Sequence, residues 1–219
     1  MLPNITEVAR LQSPAPFPQG VAFDGTSLWL ASCKTFSLYA IDPQSWIVRN
    51  EVTAPGEPFG LTISGDEMRV VLGFGEDADD RFIYRFTPGQ GFAECFPCPD
   101  LSGAYLAFDG RTLLLAQAHN MRLLALDAGG EVINHIALSR RPVGMTIVDG
   151  DLYILSTDEN FENAQLGKMK ADLTSSALET VAAVSFAARG LAFDGSRFWT
   201  AHRRNNEVVA FHLVTSATV

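Results

Sequence analysis

The sequence contains few cysteines and no long apolar stretch, and each absence excludes a class of protein. Its 219 residues include three cysteines, Cys33, Cys95 and Cys98, an odd set that suits a reducing compartment better than a disulfide framework. No stretch approaches the roughly 18 uninterrupted apolar residues of a membrane span. The first residues have neither the basic nor the apolar segment of a signal peptide. We therefore expect a cytoplasmic protein with no membrane partner.

Positive charge is also scarce. Lys and Arg number 16 against 25 Asp and Glu, which gives a net charge of −9 at pH 7. Because non-specific nucleic-acid binding needs a surplus of basic residues, we expect no nucleic-acid partner. The GxSxG, HExxH and GxxxxGK[ST] signatures are missing, and no segment keeps a helical apolar period over a dozen residues. A helical fold and the enzyme classes that those signatures mark are not expected.

A short repeat is present instead. The tetrapeptide Ala-Phe-Asp-Gly begins at Ala22, Ala107 and Ala192, and both intervals are 85 residues long. Degenerate copies around Thr62 and Thr146 divide each interval, so that five units follow one another at spacings of 40, 45, 39 and 46 residues. Internal periods of 20 to 50 residues indicate solenoids or propellers.

Each unit has the same order of short apolar segments. The Asp-Gly pair between alternating apolar runs predicts a β-hairpin with a type I′ turn, in which both central residues have positive φ. A third strand follows each hairpin, and a fourth follows in every unit except the fifth. A strand-like segment, residues 4–12, precedes the first unit.

These observations predict one all-β domain over residues 1–219. We expect a five-bladed β-propeller with four-stranded antiparallel blades. The segment at residues 4–12 would pair with Glu207–Leu213, supply the missing fourth strand and close the ring, because radial closure protects sheet edges.

In such a propeller, the loops entering the first strand of each blade and the loops between its second and third strands surround one mouth of the channel. These loops vary in length and carry most of the unusual polar residues, and loops on a rigid scaffold often carry function. We therefore predict a site at this mouth. The candidates for catalysis are Glu57, His119 and His202, and those for ligand binding are Gln19, Asn120, Asp158 and Arg189.

The candidate residues leave two kinds of ligand open. Carboxylates and imidazoles are compatible with a divalent cation such as Ca²⁺ or Zn²⁺, although no spacing motif identifies a metal site. A second set would favour a carboxylate or phosphate ligand if its guanidinium groups converge: Arg140, Arg141, Arg189, Arg203 and Arg204. Charge balance with the acidic loops of blades two and four explains the same arginines equally well.

With the blades placed, the chain resembles known propeller groups. Its repeat resembles the gluconolactonase/regucalcin and NHL-repeat propellers, and Phe17-Pro18-Gln19-Gly20 resembles the opening of the plant-type glutamine cyclotransferases. The cyclotransferase resemblance implies a glutamate before the glycine of blade two, where this chain has Phe59, and a lysine in the last blade, where it has His202. The gluconolactonase resemblance implies a Glu and Asn/Asp set around a divalent metal, which Glu57, Asn120 and Asp158 would supply.

Two hypotheses of different classes follow. The first is a small-molecule site at the channel mouth, belonging to a metal-assisted, lactonase-like hydrolase, to a cyclotransferase-like enzyme or to a binding protein. The second is a non-catalytic platform for a protein partner. We expect a monomer in either case. Fold alone does not choose between the two.

Overall fold

The computed structural model describes residues 2–213 and consists of five four-stranded antiparallel sheets arranged as the blades of a propeller. The strand β1 (Thr6–Gln12) comes first in the chain. Blade 1 contains β2 (Pro18–Phe23), β3 (Leu28–Ser32), β4 (Ser37–Ile41) and β5 (Val48–Thr53). Blade 2 contains β6 (Glu57–Ser64), β7 (Glu67–Phe74), β8 (Asp80–Thr87) and β9 (Gly91–Pro97).

The remaining blades follow in chain order. Blade 3 contains β10 (Tyr105–Phe108), β11 (Leu113–Gln117), β12 (Arg122–Leu126) and β13 (Val132–Ala137). Blade 4 contains β14 (Arg141–Val148), β15 (Asp151–Thr157), β16 (Ala164–Lys170) and β17 (Glu179–Val184). Blade 5 contains β18 (Ala188–Phe193), β19 (Phe198–His202) and β20 (Glu207–His212), with β1 as its fourth strand.

Helix is confined to one short 3₁₀ turn, Pro99–Leu101, among the described residues. Within residues 2–213 no helix has the length and apolar character that crossing a membrane requires.

The N-terminal strand closes the ring, which confirms the sequence prediction. β1 pairs with β20 in antiparallel register, from Thr6 opposite His212 to Gln12 opposite Glu207. The residues before β1 reach the outer strand of blade 4, where the backbone N–H of Ile5 donates to the carbonyl of Ala183 at 3.1 Å. One segment therefore ties blade 5 to blade 4.

The turns of the three Ala-Phe-Asp-Gly copies differ from the prediction. In the first copy only Gly25 has positive φ, at 96°, so the type I′ prediction is wrong there. Instead, Oδ1 of Asp24 accepts the backbone N–H groups of Thr26 and Ser27, at 2.8 and 2.7 Å. The other two copies bond in the same way through the carboxylates of Asp109 and Asp194. The carboxylate of the repeat closes a four-residue connection, which sequence reasoning mistook for a two-residue turn.

Blade 4 does contain the expected turn. Asp149 and Gly150 connect the paired residues Val148 and Asp151, and their φ angles are 51° and 79°. Positive φ at both central residues is the signature of type I′.

In blades 1 and 5 the turn aspartate also accepts an indole N–H from the core. Asp24 Oδ2 accepts from Trp29 Nε1 at 2.6 Å, and Asp194 Oδ2 accepts from Trp199 Nε1 at 2.8 Å. Trp199 is completely buried and stacks on Trp46, with ring centroids 5.8 Å apart. The same carboxylate therefore fixes the turn and satisfies a buried donor.

The apolar core lies between neighbouring blades. Trp29 of blade 1 packs edge-on against Phe86 of blade 2, with centroids 5.6 Å apart. Tyr153 of blade 4 packs against Phe198 of blade 5, with centroids 5.0 Å apart. Each innermost strand packs against the innermost strands of the blades on either side, which holds the ring together.

Removal of residues 1–13 is expected to lower the thermal midpoint sharply. The truncation uncovers the backbone edge of β20, whose residues 208–211 are completely buried, and it removes the link to blade 4. The cost should reach several kcal/mol, a large share of the 5–15 kcal/mol typical of a domain. Calorimetry of the two proteins measures it, and an unchanged midpoint would contradict ring closure by β1.

Replacement of Asp194 by alanine is expected to destabilise the protein by about 1–3 kcal/mol, since the Trp199 indole and two backbone N–H groups lose their acceptor. Burial alone would raise the pKa of Asp194, but the hydrogen bonds from Trp199 and Arg197 hold it well below its usual range. A carboxyl with a depressed folded pKa stabilises above its unfolded pKa, about 3.9, and loses that contribution as the pH falls towards the folded value.

The difference in free energy of unfolding between wild type and Asp194→Ala should therefore be largest above about pH 4 and shrink below it. Urea unfolding across this pH range measures the difference. Asp66→Ala, at the exposed hairpin turn of blade 2, is the control and should show a much smaller difference.

Candidate functional site

The channel is closed by the approach of the innermost strands to one another. Four of them carry a glycine where they meet: Gly20, Gly60, Gly144 and Gly190. A Cβ added to Gly20 would lie 2.2 Å from the carbonyl oxygen of Phe59, and one added to Gly60 would lie 2.4 Å from that of Ala104. Since no side chain fits between these strands, only glycine permits the contact.

Blade 3 has Tyr105 where the other blades have this glycine. Its side chain is 3% exposed, and its hydroxyl oxygen accepts a hydrogen bond from Gln19 Nε2 at 2.6 Å. Blades 1 and 3 are not neighbours in the ring, so the phenol reaches across the channel. It closes the channel together with the glycine contacts.

A cup of about 410 Å³ lies above this closure, at the mouth predicted from the sequence. Its floor is formed by the residue preceding the closure position in each blade: Gln19, Phe59, Ala104, Val143 and Arg189. Its walls come from the entering loop of blade 3, from the loops between second and third strands and from the start of β8: Asp79, Arg81, Asp100–Gly103, Ala118, His119, Phe161 and Arg203.

The pair of Gln19 and Tyr105 at the bottom of the cup lacks one hydrogen-bond partner. Gln19 is 5% exposed, and its Oε1 has no partner in the described part of the chain. Turning the amide over would let Oε1 accept the phenol hydrogen and would leave Nε2 unpartnered instead. Because buried polar atoms are nearly always bonded, the pair needs a further partner in either orientation.

Tyr105 stays a neutral phenol. Burial raises its pKa to about 12, although the positive charges of Arg189 and Arg203 oppose the shift. A neutral phenol that accepts from Gln19 keeps its own hydrogen to donate.

Arg189 is the most buried charged group of the cup, at 8% exposure. Its Nη1 donates to the carbonyl oxygen of Ala188 at 2.7 Å, and its guanidinium lies over the ring of Phe161, 4.7 Å from the centroid. Burial lowers its pKa; Tyr105 opposes that shift, whereas the positive charge of Arg203 adds to it. The charged form is thus held in a place that disfavours it.

Two more arginines line the cup, and aromatic rings orient both. Arg81 lies over the ring of Phe59, 3.4 Å from its centroid, and Arg203 lies over the ring of Phe17 at 5.1 Å. A guanidinium stacked on a ring keeps its N–H edges free for a planar acceptor.

None of these three arginines is paired with a carboxylate among residues 2–213. The arginines that do form ion pairs in this part of the chain are others: Arg10, Arg49, Arg69, Arg85, Arg122, Arg197 and Arg204. Of the two acidic residues in the lining, Asp100 is bound by Arg122, and Asp79 is exposed. At the wall, burial lowers the pKa of Arg81, whereas the negative charges of Glu57 and Asp79 oppose that shift. At the bottom, Arg189 keeps a positive charge without a carboxylate partner in the described part of the chain, although the net charge of the protein is −9.

Of the seven residues predicted from the sequence, the structure brings Gln19, His119 and Arg189 to the cup. His119 is exposed at the rim, where its ring faces that of Phe161 edge-on with centroids 6.5 Å apart. Glu57 is half-buried outside the lining. Burial and then the negative charge of Glu57 raise the pKa of Cys33 to about 12.

The other three residues make their contacts outside the cup. Asn120 Nδ2 donates to Gln117 Oε1 at 3.1 Å. Asp158 accepts hydrogen bonds from the side-chain amide of Asn163 and, at 2.8 Å, from the backbone N–H of Glu162, and these bonds within its own loop lower its pKa. His202 Nδ1 lies 3.1 Å from Glu207 Oε2 beside β1.

The donors do not fit a divalent cation. Within residues 2–213 no group of three or more His, Cys, Asp and Glu side chains has the geometry to hold a metal ion. The gluconolactonase resemblance would place Glu57, Asn120 and Asp158 around a metal. In the structure Glu57 lies outside the lining of the cup, and Asn120 and Asp158 make hydrogen bonds outside it. The floor presents Arg189 and one donor of the Gln19–Tyr105 pair instead, and both donors suit an anion.

Sequence reasoning missed several of the residues that shape the cup. Tyr105 breaks the glycine pattern of the innermost strands, and an alignment of the five units on that glycine would have shown it. Phe59, where the cyclotransferase resemblance implies a glutamate, supports Arg81 through its ring. Arg203 belonged to the arginine set, but nothing in the sequence indicated that it lines the same cup as Arg81.

The comparisons with known proteins support the architecture. No protein-family model matches the chain, and no curated protein matches it. Solved propellers do match it over nearly its whole length. The glutaminyl cyclase of Myxococcus xanthus superposes with a TM-score of 0.70 at 10% identity, covering 95% of this chain and 96% of that one.

Two further solved structures have similar folds. The calcium-binding protein regucalcin of Agrobacterium tumefaciens has a TM-score of 0.62 at 13% identity, with 97% and 96% covered. The PQQ-bound aldose sugar dehydrogenase of Streptomyces coelicolor has a TM-score of 0.63 at 14% identity, covering 99% of this chain and 84% of that one. At these identities the likeness shows the fold alone. This chain shares the propeller architecture of the glutaminyl cyclase and of regucalcin, which represent two of the groups that its sequence resembles.

Proposed function

We propose that the cup binds a small carboxylate. The observation that carries the proposal is the buried Arg189, unpaired within residues 2–213, beside the Gln19–Tyr105 pair that lacks one hydrogen-bond partner. A buried charge is costly unless it is paired, and a bound anion would supply the pair.

The carboxylate would meet two kinds of donor at the floor. The guanidinium edge of Arg189 offers a bidentate pair of N–H groups. The Gln19–Tyr105 pair offers one further donor: the phenol O–H when Gln19 donates to the phenol oxygen, or Nε2 of Gln19 when its Oε1 accepts from Tyr105. Arg81 and Arg203 add positive charge at the wall, and their ring contacts limit the entropy lost on binding.

The proposal covers ligand binding and no reaction. In it, arginine side chains bind the ligand in place of the divalent metal that the sequence hypothesis considered. A cyclotransferase-like or lactonase-like step would need a group that moves a proton. His119 is the imidazole nearest to such a role, because it stands at the rim of the cup. The proposal assigns His119 no part in a reaction; a role for it would require that the bound carboxylate is converted to a product.

We further propose that the protein acts as a monomer in the cytoplasm, with a small molecule and not a nucleic acid or a membrane as its partner. Free cysteines support the location. Burial raises the pKa of both Cys33 and Cys98 to about 12, so these thiols are inert packing groups.

Replacing Arg189 by methionine is expected to weaken carboxylate binding by tenfold or more. Charge-assisted hydrogen bonds contribute about 1.5–3 kcal/mol, which corresponds to about ten- to a hundredfold in affinity. Calorimetric titration with acetate, lactate and benzoate measures the effect. Arg111→Met, at an exposed turn on the opposite face, removes the same charge and should leave the affinity within about twofold.

Arg189→Met should not lose stability when no ligand is present, because methionine removes a buried charge that has no carboxylate partner. The proposal fails if none of the carboxylates binds, or if Arg189→Met and Arg111→Met behave alike.

One observation favours the second candidate function, a platform for a protein partner. Four exposed apolar side chains stand on the face that carries the cup: Phe17, Phe36, Leu101 and Met121. All four have left-handed backbone, with φ between 46° and 54°. Strained residues concentrate at functional sites, and exposed apolar groups gathered on one face are typical of a contact surface.

Replacing Phe36 and Met121 by asparagine is expected to stabilise the protein by up to about 1 kcal/mol at each site. Asparagine tolerates left-handed backbone, and blades 4 and 5 already have Asn163 and Asn206 directly before their third strands, with φ of 47° and 54°. Chemical unfolding measures the gain. Ile133→Asn, which is exposed but lies in the extended strand β13, is the control and should gain nothing.

A loss of stability in Phe36→Asn and Met121→Asn would mean that these side chains are held by packing. A platform would instead require their apolar character, so a variant that is stabilised and loses partner binding would favour the second function over the first.

A further inference from the structure

A second cavity of about 440 Å³ adjoins the cup. It lies at the loops of blades 1, 4 and 5, and its lining includes Phe17, Phe161, Arg189, Arg203 and Arg204. Phe161, Arg189 and Arg203 also line the cup. The two cavities therefore share a wall made of one aromatic ring and two guanidinium groups.

The charge of the second cavity is of one sign. Arg189, Arg203 and Arg204 are its charged lining residues, and no acidic side chain belongs to the lining. Arg204 makes one ion pair, with Glu162 at 3.1 Å, and both of these side chains are more than half exposed. An exposed pair of this kind is weak, so Arg204 can exchange Glu162 for a ligand at little cost.

The two guanidinium groups of the shared wall are oriented so that each can donate hydrogen bonds to a separate acidic group. The guanidinium of Arg189 lies over Phe161, and that of Arg203 lies over Phe17. Each stacked guanidinium presents N–H groups along its edge, and both arginines are exposed to both cavities. A single carboxylate at the floor of the cup would leave the positive charge of the second cavity without a bound anion.

We propose that the natural ligand is an elongated dianion, a molecule with two separated carboxylates. One carboxylate lies at the floor of the cup against Arg189, Gln19 and Tyr105. The other lies in the second cavity between Arg203 and Arg204. This inference rests on the proposed function, because it extends the same site to a second acidic group.

The test compares diacids with their half esters. Succinate, glutarate and adipate are each titrated beside their monomethyl esters, which keep the length of the diacid but carry one charge. At least one diacid should bind ten times more tightly than its own half ester. No preference above the twofold statistical factor at any length would overturn the proposal.

Two variants assign the second carboxylate. Arg204→Met should reduce the ratio of diacid to half-ester affinity towards two, because it removes the guanidinium from the second cavity. Glu162→Gln breaks the same ion pair but keeps Arg204, so it should preserve or increase the ratio. An equal ratio in wild type and Arg204→Met would contradict the assignment.

The outcome separates this inference from the proposed function. Half esters that bind, and that Arg189→Met weakens, support the carboxylate site even when the diacids gain nothing. Failure of both kinds of probe to bind removes the carboxylate site, and the extension falls with it.

Discussion

The contact between the innermost strands at the channel closure is the constraint on which the rest of the site depends. Five blades make a small ring, and their inner strands come so close that Gly20 and Gly60 have no room for a Cβ. The closure turns an open channel into a cup with a floor. The side chains directly before the closure position then point to the same end, which gathers Gln19 and Arg189 from blades 1 and 5.

The exception in blade 3 explains the chemistry of that floor. A fifth glycine would leave a gap on one side of the closure, whereas Tyr105 fills it and brings a polar atom to the axis. Burial in a ring of apolar strands keeps the phenol neutral, since its pKa rises to about 12. A neutral donor and a cationic donor then stand side by side, and neither has a carboxylate partner among residues 2–213. Packing at the axis and a polar group at the floor of the cup are two consequences of one substitution in the repeat.

Sequence reasoning could predict the fold because the repeat is a property of the backbone. The 85-residue interval, the Asp-Gly turns and the missing fourth strand each constrain strand order, and the ring closes at β1 as they require. The turn type was harder to predict: the carboxylates of Asp24, Asp109 and Asp194 close four-residue connections, and an Asp-Gly pair alone does not distinguish these from type I′ turns.

The site could be predicted only as a location. Loop position predicted the face of the propeller on which the cup lies, yet it could not tell which polar side chains are satisfied locally. Asp158 binds its own loop, and His202 lies beside Glu207, because each finds a partner within a few residues. Arg189 finds no carboxylate among residues 2–213, and only the folded ring shows this. A charge count over the sequence even points the other way, since the net charge is −9.

That net charge also shapes how an anion would reach the cup. At physiological ionic strength, fields from exposed charges are screened beyond about 8 Å, so the acidic surface repels an approaching anion only weakly and steers it not at all. Attraction must come from Arg81, Arg189 and Arg203 at short range, where burial weakens screening. Binding strength would then reside in slow release from a floor of fixed donors and not in fast capture. The stacked rings of Phe59, Phe161 and Phe17 serve that end, because they hold the guanidinium groups in place before the ligand arrives.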